Sequence, residues 1–306
     1  ISAFLWLVPV ITALITSLRT YDEILTNGFI SWPETITLEN FKTAWERGGI
    51  SRYLPNSFII TLPSIVLTML LSSLAAYALA RFKFPANRVI FFTFVGGMML
   101  PFQVLLLPVF KLTDFLGLYD TYWGLIFFHT AFQLGFCTFM LRNYMRTVPG
   151  EIIEAARIDG CSEIGIWAKI MLPLTLPAIA AIATLEFTWI FNDYLWAIVL
   201  TSNDALKPVT AGLATLQGQF ITDWPVIVAG ALIGTLPTLL VFLFLQRYAH
   251  LITLPGISRV PSGDLPGLGV FYICCDLSDF PGSEQGRRRH CPNPPNGPRL
   301  QFLFLF

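Results

Sequence analysis

Six long stretches of the chain are free, or nearly free, of charged residues. A membrane-spanning helix needs about 20 mainly apolar residues, and each stretch approaches or exceeds that length. Leu, Ala, Ile and Met run continuously through them, without the alternation typical of a membrane β-strand. We therefore predict an all-α, polytopic membrane helix bundle with six transmembrane helices. The predicted spans are about 1–18, 56–80, 89–110, 121–141, 173–200 and 224–246.

The composition favours the same class of protein. Hydrophobic residues make up 55% of the 306 positions and charged residues only 12%, too few to cover a soluble globule of this size. The net charge is zero, so no basic field exists that would attract nucleic acid, and we predict no nucleic-acid partner. The five Cys and three His residues match no common metal or disulfide spacing, so we predict neither a metal nor another cofactor.

The distribution of Lys and Arg predicts the orientation. Loops 81–88 and 142–169 are basic for their length, whereas the alternate loops carry more acids. Under the positive-inside rule these two loops, and the C-terminus, lie in the cytoplasm. The first run has no charged segment before it and no small-residue cleavage site after it. We interpret it as a span with further residues upstream, not as a signal peptide.

The segment 142–173 is too long to be a simple connection between two antiparallel helices. Pro149 and Glu151 suit the first turn of a helix, because proline needs no donor there and an acid complements the helix dipole. Gly160 is placed to end that helix, and Ser162 is placed to cap a second one. The sequence therefore predicts a helix, a glycine turn and another helix, lying against the membrane surface.

Small and acidic residues in this segment indicate a docking surface. Ala155, Ala156 and Gly160 would give a smooth face, and Glu154 and Asp159 could cap or pair at the contact. The alternative is an amphipathic helix that rests on lipid, but the segment has few of the basic residues that anionic lipid favours. The residues favour protein docking and leave the lipid interpretation open.

The same residues resemble the EAA loop of ATP-binding-cassette importer permeases. The match comprises Glu154-Ala155-Ala156, Gly160 after three further residues, and Leu172-Pro173. The text at 148–151 and 192–196 is similar to the carbohydrate-importer branch, in particular the maltose-transporter-type, binding-protein-dependent inner-membrane component. The resemblance covers about residues 1–248. It implies a transmembrane permease domain over that range, with the EAA loop at 142–173.

The resemblance implies a set of partners and a mechanism. In that family the EAA loop forms a coupling helix that sits in a groove of the ATP-hydrolysing subunit. The implied docking residues here are Glu154, Ala155, Ala156, Asp159 and Gly160. The implied partners are ATP-binding-cassette ATPase subunits, a second permease subunit, an extracellular solute-binding protein, a sugar substrate and membrane lipid. Loop 201–223 matches in position a loop that contacts the solute-binding protein. The implied location is the bacterial inner membrane, and the implied mechanism is alternating access.

The chain itself is not predicted to be an enzyme, and no catalytic residue is assigned. No Gly-Lys pair occurs, so the phosphate-binding loop of an ATPase is absent from the sequence, and ATP hydrolysis is expected on a partner chain. Three alternatives stay open: an ion- or proton-coupled secondary transporter, an importer of a non-sugar solute, and a scaffold that recruits an ATPase without transporting.

Polar residues in the fifth predicted span are candidates for the translocation path. Glu186 and Asp193 are seven residues apart, which predicts one face of a continuous helix. Asn192 adjoins that face, and Trp189 offers a ring for stacking on a sugar. Ionisable groups at membrane depth usually face protein or water and mark function. The alternative role is hydrogen bonding between packed helices.

The last part of the chain differs in character from the rest. Residues 249–306 contain eight Pro and seven Gly, and no helical period continues through them. Such a composition does not bury enough apolar surface to fold. We predict a disordered tail, and its text is consistent with a shifted reading frame.

Overall fold

The fold was examined in a computed structural model, which describes residues 2–28, 31–216 and 223–253. Side chains are described for 7–28, 31–216 and 223–244. From residue 254 onward, the predicted disordered tail lies outside the described residues, and the last helix includes residues 249–253.

The described residues form helices joined by short connections, without a strand, which confirms the predicted all-α class. A 3₁₀ turn lies at Phe102–Leu105, a π-helical turn at Trp167–Met171 and another 3₁₀ turn at Asp204–Leu206. The α-helices are α1 (Ser2–Ser17), α2 (Tyr21–Asn27), α3 (Glu39–Glu46), α4 (Ile50–Arg81), α5 (Asn87–Met98), α6 (Leu106–Phe115), α7 (Tyr122–Thr147), α8 (Gly150–Ile158), α9 (Glu163–Ile166), α10 (Leu172–Phe191), α11 (Leu195–Leu200), α12 (Val209–Ala214) and α13 (Trp224–Thr253).

The structure does not by itself confirm the predicted number of six membrane helices. In the described part of the chain, four helices are long and apolar enough to cross a membrane. They are α4, α7, the stretch Glu163–Phe191 and the stretch Trp224–Phe244 of α13. A fifth span results if α5 and α6 are counted as one broken helix. The predicted first span is a shorter apolar helix, α1, which has 16 residues and packs against α13.

The predicted third span, 89–110, is not one helix. Its two parts, α5 and α6, meet at an angle of 94°. Pro101 lies in the break, directly before the 3₁₀ turn. Proline lacks the backbone N–H of a helix interior, and it disfavours helical backbone in the residue before it, here Leu100. The hydropathy of the run does not predict this bend.

The predicted fifth span, 173–200, is also divided. Helix α10 ends at Phe191, and α11 begins at Leu195. The carboxylate of Asp193 accepts hydrogen bonds from the backbone N–H groups of Trp196 (3.4 Å) and Ala197 (3.1 Å). This cap satisfies the free donors of a new helix, so a short acidic side chain stabilises the break. Glu186 therefore lies within α10 and Asp193 in the connection to α11, so the two do not share one face of a continuous helix as predicted.

Helix α4 organises the bundle and separates its two ends. It has 32 residues, which corresponds to a length of about 48 Å, and it packs against both α7 and α10. Near its C-terminal end, Tyr77 belongs to a buried cluster with Met145, Ile153 and Met171. Near its N-terminal end, a second buried cluster contains Tyr53. The EAA loop and the 201–209 segment thus lie at opposite ends of one helix.

At the N-terminal end of α4, a buried asparagine fixes the 201–209 segment. Asn56 Nδ2 donates to the carbonyl oxygens of Ala205 (2.8 Å) and Lys207 (3.0 Å), and its Oδ1 accepts from the Tyr122 hydroxyl (2.8 Å). Nearby, the Tyr53 hydroxyl donates to the carboxylate of Asp204 at 2.7 Å. This hydrogen bond lowers the pKa of Asp204 below its ordinary value.

A buried arginine organises the connection between α1 and α4. Arg19 is fully buried, and its guanidinium donates to the carboxylate of Glu23 (2.8 Å), the carbonyl of Gly28 (2.9 Å) and the hydroxyl of Ser31 (2.6 Å). Glu23 also accepts from the backbone N–H of Glu34. That bond, together with Arg19, lowers the pKa of Glu23. The network fixes the structure of the first part of this connection.

We expect Asn56→Ala to loosen the 201–209 segment, because two backbone carbonyls and one hydroxyl lose their partner. A buried polar group left unsatisfied costs about 1–3 kcal/mol. Hydrogen–deuterium exchange of the purified protein should be faster over 203–214 than in the wild type. Asn143→Ala is the matched control, since Asn143 is exposed. Equal exchange in the two variants would contradict this role of Asn56.

Candidate functional site

The centre of the EAA loop is the short helix α8, which ends as the sequence predicts. Asp159 is its C-terminal cap, and Gly160 follows with φ of +81°. In this left-handed conformation a residue with a Cβ atom costs about 1–2 kcal/mol. The N–H of Gly160 donates to Arg157 O (3.1 Å), and the N–H of Cys161 donates to Ala156 O (3.0 Å). The predicted glycine turn is confirmed.

The second helix of the loop is joined directly to the membrane bundle. Ser162 caps it as predicted, since its hydroxyl accepts from the N–H of Gly165 at 3.2 Å. Helix α9 then continues through the π-helical turn into α10 without a break. It is therefore the first turn of a membrane helix, and the prediction of a separate surface helix is wrong. Any displacement of the glycine turn acts directly on α10.

Helix α8 has an inner and an outer face. Ile153 and Ala156 point inward, with 2% and 6% of their surface exposed, and pack in the cluster that contains Tyr77. Glu154 and Ala155 point outward. The sequence analysis placed Ala156 on the smooth docking face together with Ala155. The structure instead places Ala156 on the inner face, packed against the bundle.

The outer surface continues past the end of α8. Asp159 and Gly160 are exposed, as are two isoleucines, Ile158 (87% exposed) and Ile164 (74% exposed). Neighbouring apolar side chains left so open on a short ordered segment are typical of an interaction surface. We call the exposed residues Glu154, Ala155, Ile158, Asp159, Gly160 and Ile164 the coupling surface.

One carboxylate fixes the coupling surface to the bundle. Glu163 accepts from the Arg157 Nε of α8 at 2.6 Å and from the buried Tyr77 hydroxyl of α4 at 2.7 Å. The hydrogen bond to Glu163 raises the pKa of Arg157. Sequence reasoning assigned Arg157 no role and did not foresee Tyr77. The opposite charges of Arg157 and Glu163 across a glycine turn are the one sequence signal that would have predicted this pair, and nothing local points to Tyr77.

A second polar contact fixes the start of the loop. The Arg81 guanidinium, at the end of α4, donates to the carbonyl oxygens of Met145 (2.6 Å) and Val148 (2.7 Å). The last carbonyls of a helix have no partner within the helix, so this arginine satisfies groups at the end of α7. The EAA loop is thus attached to α4 at both of its ends.

The candidate path residues lie along the contact between α10 and α7. Glu186 is fully buried, and its Oε1 accepts from Cys137 Sγ at 3.2 Å. Its Oε2 has no hydrogen-bond partner among the described residues. The Trp189 ring, 39% exposed, lies 5.2 Å from the Phe136 ring between centroids. Within the described part of the chain, no cluster of three metal-ligating side chains occurs.

The two remaining candidates lie at the end of α10. Asp193, besides capping α11, lies 3.7 Å from Nε2 of His129 on α7. Asn192 is exposed, and its Nδ2 donates to the carbonyl of Thr188 at 2.8 Å. The structure therefore does not gather the four candidates into one constellation. Glu186 and Asp193 bond within the chain, whereas Trp189 and Asn192 present free surface.

Comparison with known families finds one match over most of the membrane region. The model of the family described as "Binding-protein-dependent transport system inner membrane component" matches residues 56–253. The alpha-glucoside transport system permease protein AglG of Rhizobium meliloti is 39% identical over 71% of this chain and 58% of its own length. The arabinooligosaccharides transport system permease protein AraQ of Halalkalibacterium halodurans is 35% identical over 80% of this chain and 88% of its own.

Solved structures share the fold at lower identity. A chain of a bacterial ABC transporter involved in the import of the acidic polysaccharide alginate superposes with a TM-score of 0.70 and 24% identity. The superposition covers 80% of this chain and 91% of that one. A chain of the MetNI methionine ABC transporter, in an inward-facing conformation, superposes with a TM-score of 0.52 and 19% identity.

We expect Glu163→Ala to release α8 from the bundle. The exposed bond to Arg157 contributes less than about 1 kcal/mol, and the bond to the buried Tyr77 hydroxyl contributes about 1 kcal/mol. Amide exchange over 150–158 should therefore be roughly tenfold faster. Tyr77→Phe should give part of this effect, and Glu151→Ala, an exposed acid of α8, should give little. If Glu151→Ala and Glu163→Ala accelerate exchange equally, the hydrogen bonds of Glu163 to Arg157 and Tyr77 do not hold α8.

Proposed function

Since the chain belongs to the family of binding-protein-dependent transport system inner membrane components, and is a multi-pass permease subunit of an ATP-binding-cassette importer, we propose that its cargo is a sugar. The names of its relatives support this cargo. Three of them, all above 30% identity, are permeases for alpha-glucosides, arabinooligosaccharides and diacetylchitobiose.

The coupling surface is the proposed docking site for the ATP-binding subunit. Its principal support is that α8 is buried on one side only. The inner face packs on the bundle through Ile153 and Ala156, and the outer face is exposed. A groove on the partner can cover Ile158 and Ile164 and leave Glu154 to pair with a cation. Ala155 and Gly160 allow close approach because they are small. Ala156 acts as the anchor beneath this surface.

The Glu163–Tyr77 hydrogen bond and the unbroken helix that begins at Glu163 connect the coupling surface to the membrane helices. Closure of the ATP-binding subunits would push α8, and the displacement would reach α4 through the Glu163–Tyr77 bond. It would reach α10 through the unbroken helix that begins at Glu163. Rigid-body movement of packed helices is a common form of switching between inward- and outward-facing states. ATP hydrolysis on the partner chain would reset the cycle.

The opposite end of the bundle is the proposed contact with the solute-binding protein. The 201–209 segment is held there by Asn56, about one helix length from the EAA loop. A related fold occurs in a bacterial alginate ABC transporter in complex with an alginate pentasaccharide-bound periplasmic protein. A second permease subunit would complete the pore, with lipid around it. The orientation follows from the basic loops, with the EAA loop and the C-terminus in the cytoplasm.

The proposed sugar path runs past the exposed residues at the end of α10. Trp189 offers an aromatic face for the C–H groups of a sugar, and Asn192 offers amide donors and acceptors. Glu186 and Asp193 support the path by holding α10 and α11 against α7. The exposure of Trp189, 39% of its surface, is the observation that favours this division of roles.

We expect Glu154→Lys and Gly160→Pro to uncouple the importer. The first reverses a charge on the coupling surface, and the second removes a left-handed glycine at the turn. Reconstituted vesicles should retain ATP hydrolysis but lose most sugar-stimulated uptake. Glu151→Lys is the control, because Glu151 is an exposed acid of the same helix and lies outside the coupling surface. Normal coupling in both variants would overturn the docking role.

We expect Trp189→Ala to raise the sugar concentration needed for half-maximal uptake by about tenfold, because aromatic contacts of this kind contribute about 1 kcal/mol or more. The maximal rate of ATP hydrolysis should change little. Trp123→Ala is the matched control, since Trp123 is 55% exposed and stacks on Phe127 of α7. A sugar dependence that is the same in both variants would remove Trp189 from the path and leave the docking proposal intact.

A further inference from the structure

A basic cavity opens beside the EAA loop. Its volume is about 710 Å³, and it lies where the end of α4, the start of α5 and the end of α7 meet. Four cationic residues line it, and no acid is among the described residues that do so. The cations are Lys83, Arg88, Arg142 and Arg146.

The four cations have no acidic partner in the described part of the chain. The ion pairs found there use Arg19, His129, Arg157 and Lys207 instead. Arg142 and Arg146 are one helical turn apart, so their like charges repel. A cavity that gathers positive charge in this way is stabilised by a bound anion, since each cation gains a partner.

Arg142 is held in place to receive such an anion. Its Nε donates to the carbonyl of Leu79 at 3.3 Å, and its guanidinium carbon lies 3.9 Å from the centre of the Phe91 ring. These two contacts fix the plane of the guanidinium. Its terminal nitrogens make no hydrogen bond to a described residue, and their fork fits the oxygens of a phosphate group.

The surface around the cavity is apolar on the side of α5. Val89 and Phe92 are both 66% exposed, and Phe82 and Phe84 of the α4–α5 connection are 38% and 36% exposed. A free phosphate or a nucleotide has no acyl chain that would cover such a surface. The acyl chains of a phospholipid would cover it while the headgroup entered the cavity, and basic pockets between membrane helices are typical lipid headgroup sites.

We propose that this cavity binds the phosphate headgroup of an anionic phospholipid, with its acyl chains lying along α5. The bound headgroup would join α4, α5 and α7 at the point where Arg81 already holds the end of α7. The coupling helix α8 begins two residues beyond the last residue named in that contact. The site therefore stands at the base of the EAA loop, and it is independent of the cargo that the permease carries.

The test titrates the purified full chain with phosphatidylglycerol and with phosphatidylcholine of the same acyl chains, and follows binding by native mass spectrometry. The wild type should prefer phosphatidylglycerol. R142Q/R146Q should weaken its binding by about fivefold for each cation removed. K83Q/R88Q removes two exposed cations without touching a helix contact, and it keeps the test decisive if the first pair fails to fold.

R47Q/R52Q is the matched control, because both arginines are exposed and lie outside the cavity. It should bind phosphatidylglycerol like the wild type. Equal loss in the control, or equal binding of phosphatidylcholine, would overturn the proposal. Competition by inorganic phosphate at the same concentration as the lipid would identify a free anion as the occupant and would also overturn it.

Discussion

The carboxylate of Glu163 joins two parts of the molecule that the chain keeps far apart. It accepts one hydrogen bond from Tyr77, within a membrane helix, and one from Arg157, on the surface helix α8. A helix of nine residues is too short to be stable by itself in water. It therefore depends on the bundle for its position, through this bond and through the burial of Ile153. The position of this short helix is thus set by long-range contacts and not by its own sequence.

Polar side chains fix both ends of the bundle. At the EAA loop, charged side chains hold the structure: Arg81 satisfies the carbonyls at the end of α7, and Glu163 holds α8. At the other end, the neutral amide of Asn56 and the carboxylate of Asp120 bind backbone groups of the 202–207 segment. In both places the groups are bonded because an unpaired polar atom at the edge of a membrane bundle is costly. Helix α4 connects the two ends and can carry movement from one to the other.

Polar groups inside the bundle have mixed roles. Glu186 shares a hydrogen bond with Cys137, and Asp193 caps α11 beside His129, so both stabilise the contact of α10 and α11 with α7. Trp189 and Asn192 keep exposed surface at the same end. A transport path needs both kinds of group: side chains that hold the helices in register, and side chains free to meet the substrate. Each side of the break after Phe191 carries one side chain of each kind: Glu186 and Trp189 precede it, and Asp193 and Asn192 follow it.

The sequence by itself determined the class of fold, the membrane location, the EAA loop and the local turns at Gly160 and Ser162. Those features depend on short windows of the chain: the length of an apolar run, a left-handed glycine, a hydroxyl three residues before an amide. Only the tertiary structure decided that the predicted third span bends by 94°, that Ala156 faces inward, that Tyr77 meets Glu163, and that cations of α5, α7 and the α4–α5 connection line one cavity. An apolar run measures the cost of contact with water and carries no information about the direction of the helix, and the long-range polar contacts arise only when the helices pack.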